Sequence, residues 1–363
     1  MKTLLPFKIK LARQRRHLSM SELVAKMGEA AVTTTSISKF ERGVMKPAEK
    51  TLQAIADACG VDVSFFYSPG LNISCLSFRY VKDIASKLAK QVEAQVLIAI
   101  EESFAKEDAA GTLVPYVNPL ASFLVSDYDD AEDAATTLRK HLNIGTQPIF
   151  SVYELLQEMG IMVIEIPIPS KELLGTSAMI NGTHPVVVIN STANTTSERK
   201  RFTALHELAH LMLQIEPISE EEFRMHNADK AATPPNSERL CHRFANAMLI
   251  QSSSIKRRLG VTRNALNLPE LISIRSMYGI SIAAIVHRAY YISIIPRSVY
   301  DHWYDDIISH NKMEEGWGEF PIKETADRCE LLEERMRMES DFDKAVNGLL
   351  DDLKQKTPTE AGV

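Results

Sequence analysis

The chain has 363 residues, 45% apolar and 24% charged, with a formal net charge of −6. That is the balance of an ordinary globular protein with enough chain for two or three domains. No run of about 18 apolar residues occurs, so no membrane span is expected, and the amino terminus lacks the apolar core and cleavage site of a secretory signal. Cys59, Cys75, Cys241 and Cys329 are scattered without a CxxC pair, which argues against a disulfide framework and suits a cytoplasmic location.

Charge is unevenly spread. Residues 1–70 hold eleven Lys and Arg against six Asp and Glu, so a basic head sits on an acidic body and only the head is expected to meet nucleic acid. Apolar spacing predicts helices over FKIKLARQRRHL, SELVAKMG after a Ser19 cap, SISKFERG after a Thr/Ser-rich turn, and EKTLQAIADACG ending at Gly60. The elements LARQRRHLS, ELVAKMG, SISKFERG and LQAIADACGVDVSFFY resemble the helix-turn-helix domain of Xre-type regulators. The resemblance implies a recognition helix from about Thr34 to Phe40 in the major groove of double-stranded DNA, and a homodimer. Thr34, Thr35, Ser36 and Lys39 are then the base-facing candidates, with Arg13, Arg15 and Arg16 near phosphates.

Residues 71–147 read as a helical connector. FRYVKDIASKLAKQVEAQVLIAIEESF has Ile84, Leu88, Val92, Val96 and Ile100 spaced by fours, the pattern of a long helix. The stretch from Glu107 to Glu132 reads as an irregular link, and AEDAATTLRKHLNIG as a helix stopped by Gly145. No chemistry is legible here, and the expected role is scaffold or rigid spacer.

From Pro148 the pattern changes. SVYELLQEMG predicts a helix, and IMVIEIPI, GTSAMI and PVVVIN predict strands, the last two joined by an Asn181-Gly182 hairpin turn. FTALHELAHLMLQ follows. His206 and His210, four apart on a helix, point at one site with Glu207 beside it. This HExxH pattern is that of a metalloprotease: two His hold Zn²⁺ and the Glu is general base toward a water. Phe202, Leu205, Ala209 and Leu213 give the helix an apolar stripe, Thr195 and Glu198 stand in capping-box relation, and Pro217 closes the far end. A small sheet followed by HExxH suits a zincin, in which an exposed edge strand holds a peptide extended; Gly175–Ala178 is the candidate edge.

A catalytic zinc needs a third protein ligand. The sequence offers Glu216, Glu220, Glu221, Glu222, His226, Asp229, Glu238 and His242. The first group lies in the acidic segment ISEEEF, which reads as a hydrated loop. Glu238 opens a predicted helix, SERLCHRFANAMLI.

FTALHELAHLML followed by ERLCHRFANAMLI resembles the ImmA/IrrE family of metallopeptidases, as do GTSAMINGTHPVVVINS and YGISIAAIVHRAYYISII. The resemblance runs from about residue 148 to 297. It implies Glu238 as the third ligand beside His206 and His210, with His242, where the family has Asn or Asp, as a rival one turn away. Arg288 matches a recurrent family Arg, and His287 is a further accessory candidate, packing being its expected role.

The fold class expected is therefore α+β and mostly helical. A helix-turn-helix bundle (1–70) is joined through the connector (71–147) to a zincin-like metallopeptidase domain with a small sheet and an HExxH helix (148–297). A helical segment rich in Glu/Arg pairs and a disordered tail from Lys354 follow (298–363). The resemblance implies a cytoplasmic zinc endopeptidase that cleaves a specific regulatory protein, such as a repressor. The competing reading is a non-catalytic or antitoxin-like regulator whose metal domain senses or binds. Glu207 favours the enzyme, since a pure binder needs the ligands and no general base.

Overall fold

The computed structural model describes residues 5–16, 18–67, 71–74, 86–168, 173–192, 196–226, 233–327 and 336–347. The head is built from α1 (Leu5–Arg15), α2 (Met20–Lys26), α3 (Thr34–Glu41), α4 (Glu49–Cys59) and a 3₁₀ turn, Val63–Phe66. Ser19 caps α2 in a reciprocal box with Glu22, and Thr33 caps α3, each satisfying an amide the helix leaves open. Gly60 ends α4 in the left-handed conformation, φ 65°, where a Cβ is disfavoured. Ile9, Leu23, Ile37, Phe40, Leu52, Ile55 and Phe66 form the head's core.

After β1 (Ile73–Ser74), helix α5 (Ser86–Ala110) runs for 25 residues as the spine of the molecule. Val92, Val96, Ile100 and Phe104, spaced by fours, pack on a sheet. Ala94 and Ile98, displaced two positions and so on the opposite side, pack on Leu11 of α1. Ile84 and the side chain of Leu88 lie outside the described residues.

Two short elements precede the sheet's main strands: β2 (Leu124–Val125) and α6 (Tyr128–His141). The latter begins three residues before the Ala131 expected from the sequence, because Asp127 caps it in a box with Asp130. Then come α7 (Val152–Glu158), β3 (Met162–Ile166), β4 (Gly175–Ile180) and β5 (His184–Asn190). The sheet order is β1-β4-β5-β3, with β3 parallel to β5 and the other pairs antiparallel. Asn181 and Gly182 both have positive φ, 52° and 75°, as the central residues of a type I′ turn require, and Thr183 makes the connection three residues long, since Ile180 pairs with His184. Val186 and Val188 face α5 while Val187 and Ile189 face the second core, so both faces are buried and the strand reads as an unbroken apolar run.

That second core joins α6, α7, the sheet and α8 (Ser197–Met212) with the helices that follow. β6 (Gln214–Ile215) pairs with β2. The acidic ISEEEF segment is a short helix, α9 (Glu220–His226), rather than a loop; its three Glu are exposed as expected, while Phe223 is buried and meets Tyr128 edge-on. Next are α10 (Ser237–Leu249), α11 (Ser252–Leu259), α12 (Leu268–Tyr278), α13 (Ile282–Tyr291) and α14 (Arg297–Asp301). Residues 311–327 have no regular structure yet bury Trp317, Phe320 and Glu324. This corrects the helical segment expected for 298–363, which is irregular over this stretch. Residues 336–347 are helical, and the tail from Lys354 lies outside the described residues. No single described helix is long and apolar enough to cross a membrane.

Candidate functional site

Two His from α8 and one Glu from the first turn of α10 converge. His206 Nε2 and His210 Nε2 are 3.2 Å apart, and Glu238 Oε2 lies 3.3 Å from the first and 3.5 Å from the second. In a tetrahedral zinc site with bonds near 2.0–2.1 Å, ligand atoms sit about 3.3 Å apart. The three measured edges match that figure, so the residues fit such an ion. The helical repeat places the two imidazoles on one face, and α10 docks its amino-terminal turn against them. Cys241 Sγ is 3.5 Å from His210 Nδ1, which leaves Nε2 for the centre. Hydrogen bonds from His206 and then His210 hold the Glu238 carboxyl well below the usual carboxylate range.

Glu207 is not among the three converging atoms. It is 7% exposed, and its Oε2 accepts a 2.7 Å hydrogen bond from Ser177 Oγ on β4. Sequence reasoning missed Ser177; strand alternation in GTSAMI would have placed it on the same face as Gly175. The close approach depends on Gly175, where a Cβ would stand 2.6 Å from Thr203 Cγ2 of α8. β1 pairs only with Met179 and Ile180. Among the described residues Gly175–Ala178 therefore has no strand on its outer side, but the exposed edge expected from the sequence is corrected: Thr176, Ser177 and Ala178 are buried, at 1, 3 and 0% exposure.

The other candidates fall elsewhere. Glu216, Glu220, Glu221 and Glu222 are exposed, while the His226 side chain and Asp229 lie outside the described residues. His242 is outside the triad but close, its ring 4.7 Å from that of His206 and 5.5 Å from Phe202. Desolvation by the surrounding walls, then His206, pushes its pKa down to about 4. His287 does not join the metal centre. Its ring lies against Tyr291, Tyr300 and Tyr304, with the Tyr300 hydroxyl 3.1 Å from Nδ1. Arg288 is 1% exposed and donates to both oxygens of Glu132 at 2.7 and 2.8 Å. Glu132 was unremarkable in the sequence, having no partner within reach along α6.

In the head, Thr34, Thr35 and Lys39 are exposed on α3 and Ser36 is half-buried, its hydroxyl 2.9 Å from that of Thr33. Two expected phosphate contacts are otherwise engaged. Arg13 donates to both oxygens of Glu41 at 2.6 and 2.8 Å and to Leu18 O, and Arg15 reaches Glu102 of α5 at 2.6 Å. Arg16 remains exposed beside Gly60.

A helix-turn-helix unit carried on a long helix, joined to a domain in which His206 and His210 of an HExxH helix and Glu238 of α10 form a group that could hold a metal ion, defines the class of protein. Comparison with known families agrees. The helix-turn-helix family model matches residues 9–66, and that of the IrrE N-terminal-like domain, peptidase M78, matches residues 156–290. The chain has the ImmA/IrrE architecture with a helix-turn-helix head. No curated protein and no solved structure gives a match.

Proposed function

We propose that this is a cytoplasmic DNA-binding regulator whose second domain is a zinc-dependent endopeptidase acting on one specific protein, a repressor or similar regulator. The observation that carries the reading is the division of labour on α8. His206 and His210 converge with Glu238, while the neighbouring Glu207 stays out of the ligand set and is aimed by Ser177. His206, His210 and Glu238 would hold Zn²⁺, which would supply Lewis acidity toward a scissile carbonyl and bring the pKa of a water down to roughly 7. Glu207 takes the proton of the attacking water and returns it to the leaving amine nitrogen. Docking by the head beside a DNA-bound substrate raises effective concentration, so selectivity does not depend on the cleft alone.

Glu207→Gln is the test, because it keeps the acceptor for Ser177 Oγ and removes only the proton carrier. The variant is expected to keep its metal and its DNA affinity. One protein that is trimmed in cells carrying the wild type should then persist intact in cells carrying the variant. If the two forms give the same protein profile and the same phenotype, the non-catalytic regulator takes the place of the enzyme.

A further inference from the structure

A cavity of about 1150 Å³ opens next to the metal centre, between α8, α10 and α13 and the segment after Ile308. The metal ligands and Glu207 do not line it, but Phe202 and His242 do, and both pack on the His206 ring. Its wall is basic inside an acidic body. Arg199, Arg239, Arg243 and Lys312 face it, and among the described residues Arg199, Arg239 and Lys312 have no carboxylate in ion-pairing range. The acids on the wall, Glu198 and Glu314, are both taken by Arg275 at 2.8 and 3.5 Å.

Arg243 is the centre of the argument. Its side chain is 11% exposed and its guanidinium stands 5.1 Å from the ring centroids of both Tyr128 and Tyr291. The nearest carboxylate, Glu132 at 3.5 Å, already forks onto Arg288. One carboxylate for two buried guanidiniums leaves an excess positive charge, which is costly out of water unless an anion arrives. The guanidinium fork matches phosphate oxygens two at a time. Phe202 and Tyr304 add flat apolar surface on which a ring can stack. The volume is somewhat above the roughly 300–1,000 Å³ common for pockets that take a small organic molecule, and it far exceeds what inorganic phosphate would fill.

We propose that this cavity binds a small aromatic phosphate of the mononucleotide class, with Arg243 on the phosphate and the ring against the aromatic wall. The site stands whether or not the domain cleaves protein.

Calorimetric titration of the full-length protein with AMP, adenosine and inorganic phosphate tests it. AMP should bind at sub-millimolar concentration, with adenosine and phosphate each at least tenfold weaker. Binding should persist in metal-poor Glu238→Ala, which separates the cavity from chelation by the ion. Arg243→Met should weaken AMP at least tenfold. If that variant does not fold, Arg199→Ala with Lys312→Ala on the exposed rim should weaken it severalfold. Absence of AMP binding at millimolar concentration, equal affinity for phosphate alone, or indifference to all these substitutions would overturn the proposal. So would preference for a Glu-rich peptide over AMP, which would assign the cavity to a polypeptide.

Discussion

Gly175 sits where β4 comes closest to α8, and its missing Cβ is what allows Ser177 to reach Glu207. A methyl there would meet Thr203 Cγ2 at 2.6 Å and Val188 O at 3.1 Å. Replacing Gly by Ala gains about 0.4–1 kcal/mol by restricting the unfolded chain, whereas overpacking costs about 1–3 kcal/mol, so the clash wins. Gly175→Ala is expected to lower the urea midpoint, and Thr203→Ser on the same chain to restore part of it. An unchanged midpoint would mean that the strand and helix can separate at no cost. His287 makes a second prediction at this scale. Burial pushes its pKa down to about 4, and the groups facing it, Tyr291, Tyr300, Tyr304 and the nearby His242, bring no negative charge at neutral pH. The unfolded chain, with a His pKa near 6.5, binds the extra proton first as pH falls. Stability is therefore full above about pH 6.5 and declines toward pH 4. In unfolding curves, the loss of stability between pH 7.5 and 5 should be smaller in His287→Phe by roughly 1–2 kcal/mol. An identical loss in the variant would place the titrating group elsewhere.

Among the elements, the docking of α7 depends on a residue far along the chain. Glu324 is fully buried and accepts hydrogen bonds from Val152 N at 3.0 Å, Tyr153 N at 3.2 Å and Ser151 Oγ at 2.8 Å, while pairing with buried Arg201 of α8. It thus satisfies amides at the start of α7 and neutralises a guanidinium that also donates to Phe150 O and Ile149 O. Glu324→Ala strands the Arg201 charge and should cost about 3–5 kcal/mol. Glu324→Gln, keeping acceptor capacity, should cost less by thermal melting, and equal losses would show that the charge is immaterial. This contact also marks the limit of what the sequence disclosed. HELAH, the Ser19 cap, the Asn181-Gly182 turn and the strand runs were legible because each is a local pattern with a local cause. Glu324 was not. An acid in a run of acids and Arg reads as a solvated helix face, and only tertiary packing 123 residues away from Arg201 makes it a buried cap. Glu132 escaped notice for the same reason, and so did Arg13 and Glu41, whose pairing joins α1 to the end of α3.

For the molecule as a whole, α5 ties the head to the sheet. Lys8 of α1 is buried, 3.5 Å from Glu101 and 2.9 Å from Phe65 O, and Leu11 packs between Ala94 and Ile98. The α1 face of the head is thereby turned toward the body, which fixes which basic residues remain for a phosphate backbone. Each Lys or Arg that contacts phosphate contributes about one unit to the slope of log affinity against log salt. Of the expected phosphate contacts Arg16 is exposed, whereas Arg13 is committed to Glu41 and Arg15 to Glu102. Arg16→Ala should therefore weaken duplex binding and flatten the salt slope by about one unit. Arg13→Ala should leave the slope unchanged and lower thermal stability instead, because it leaves Glu41, only 5% exposed, without its partner. Fluorescence anisotropy over a salt series with the protein's own promoter decides between them. If Arg13→Ala flattens the slope and Arg16→Ala does not, then Arg13 meets the phosphates, and it must first release Glu41 to do so.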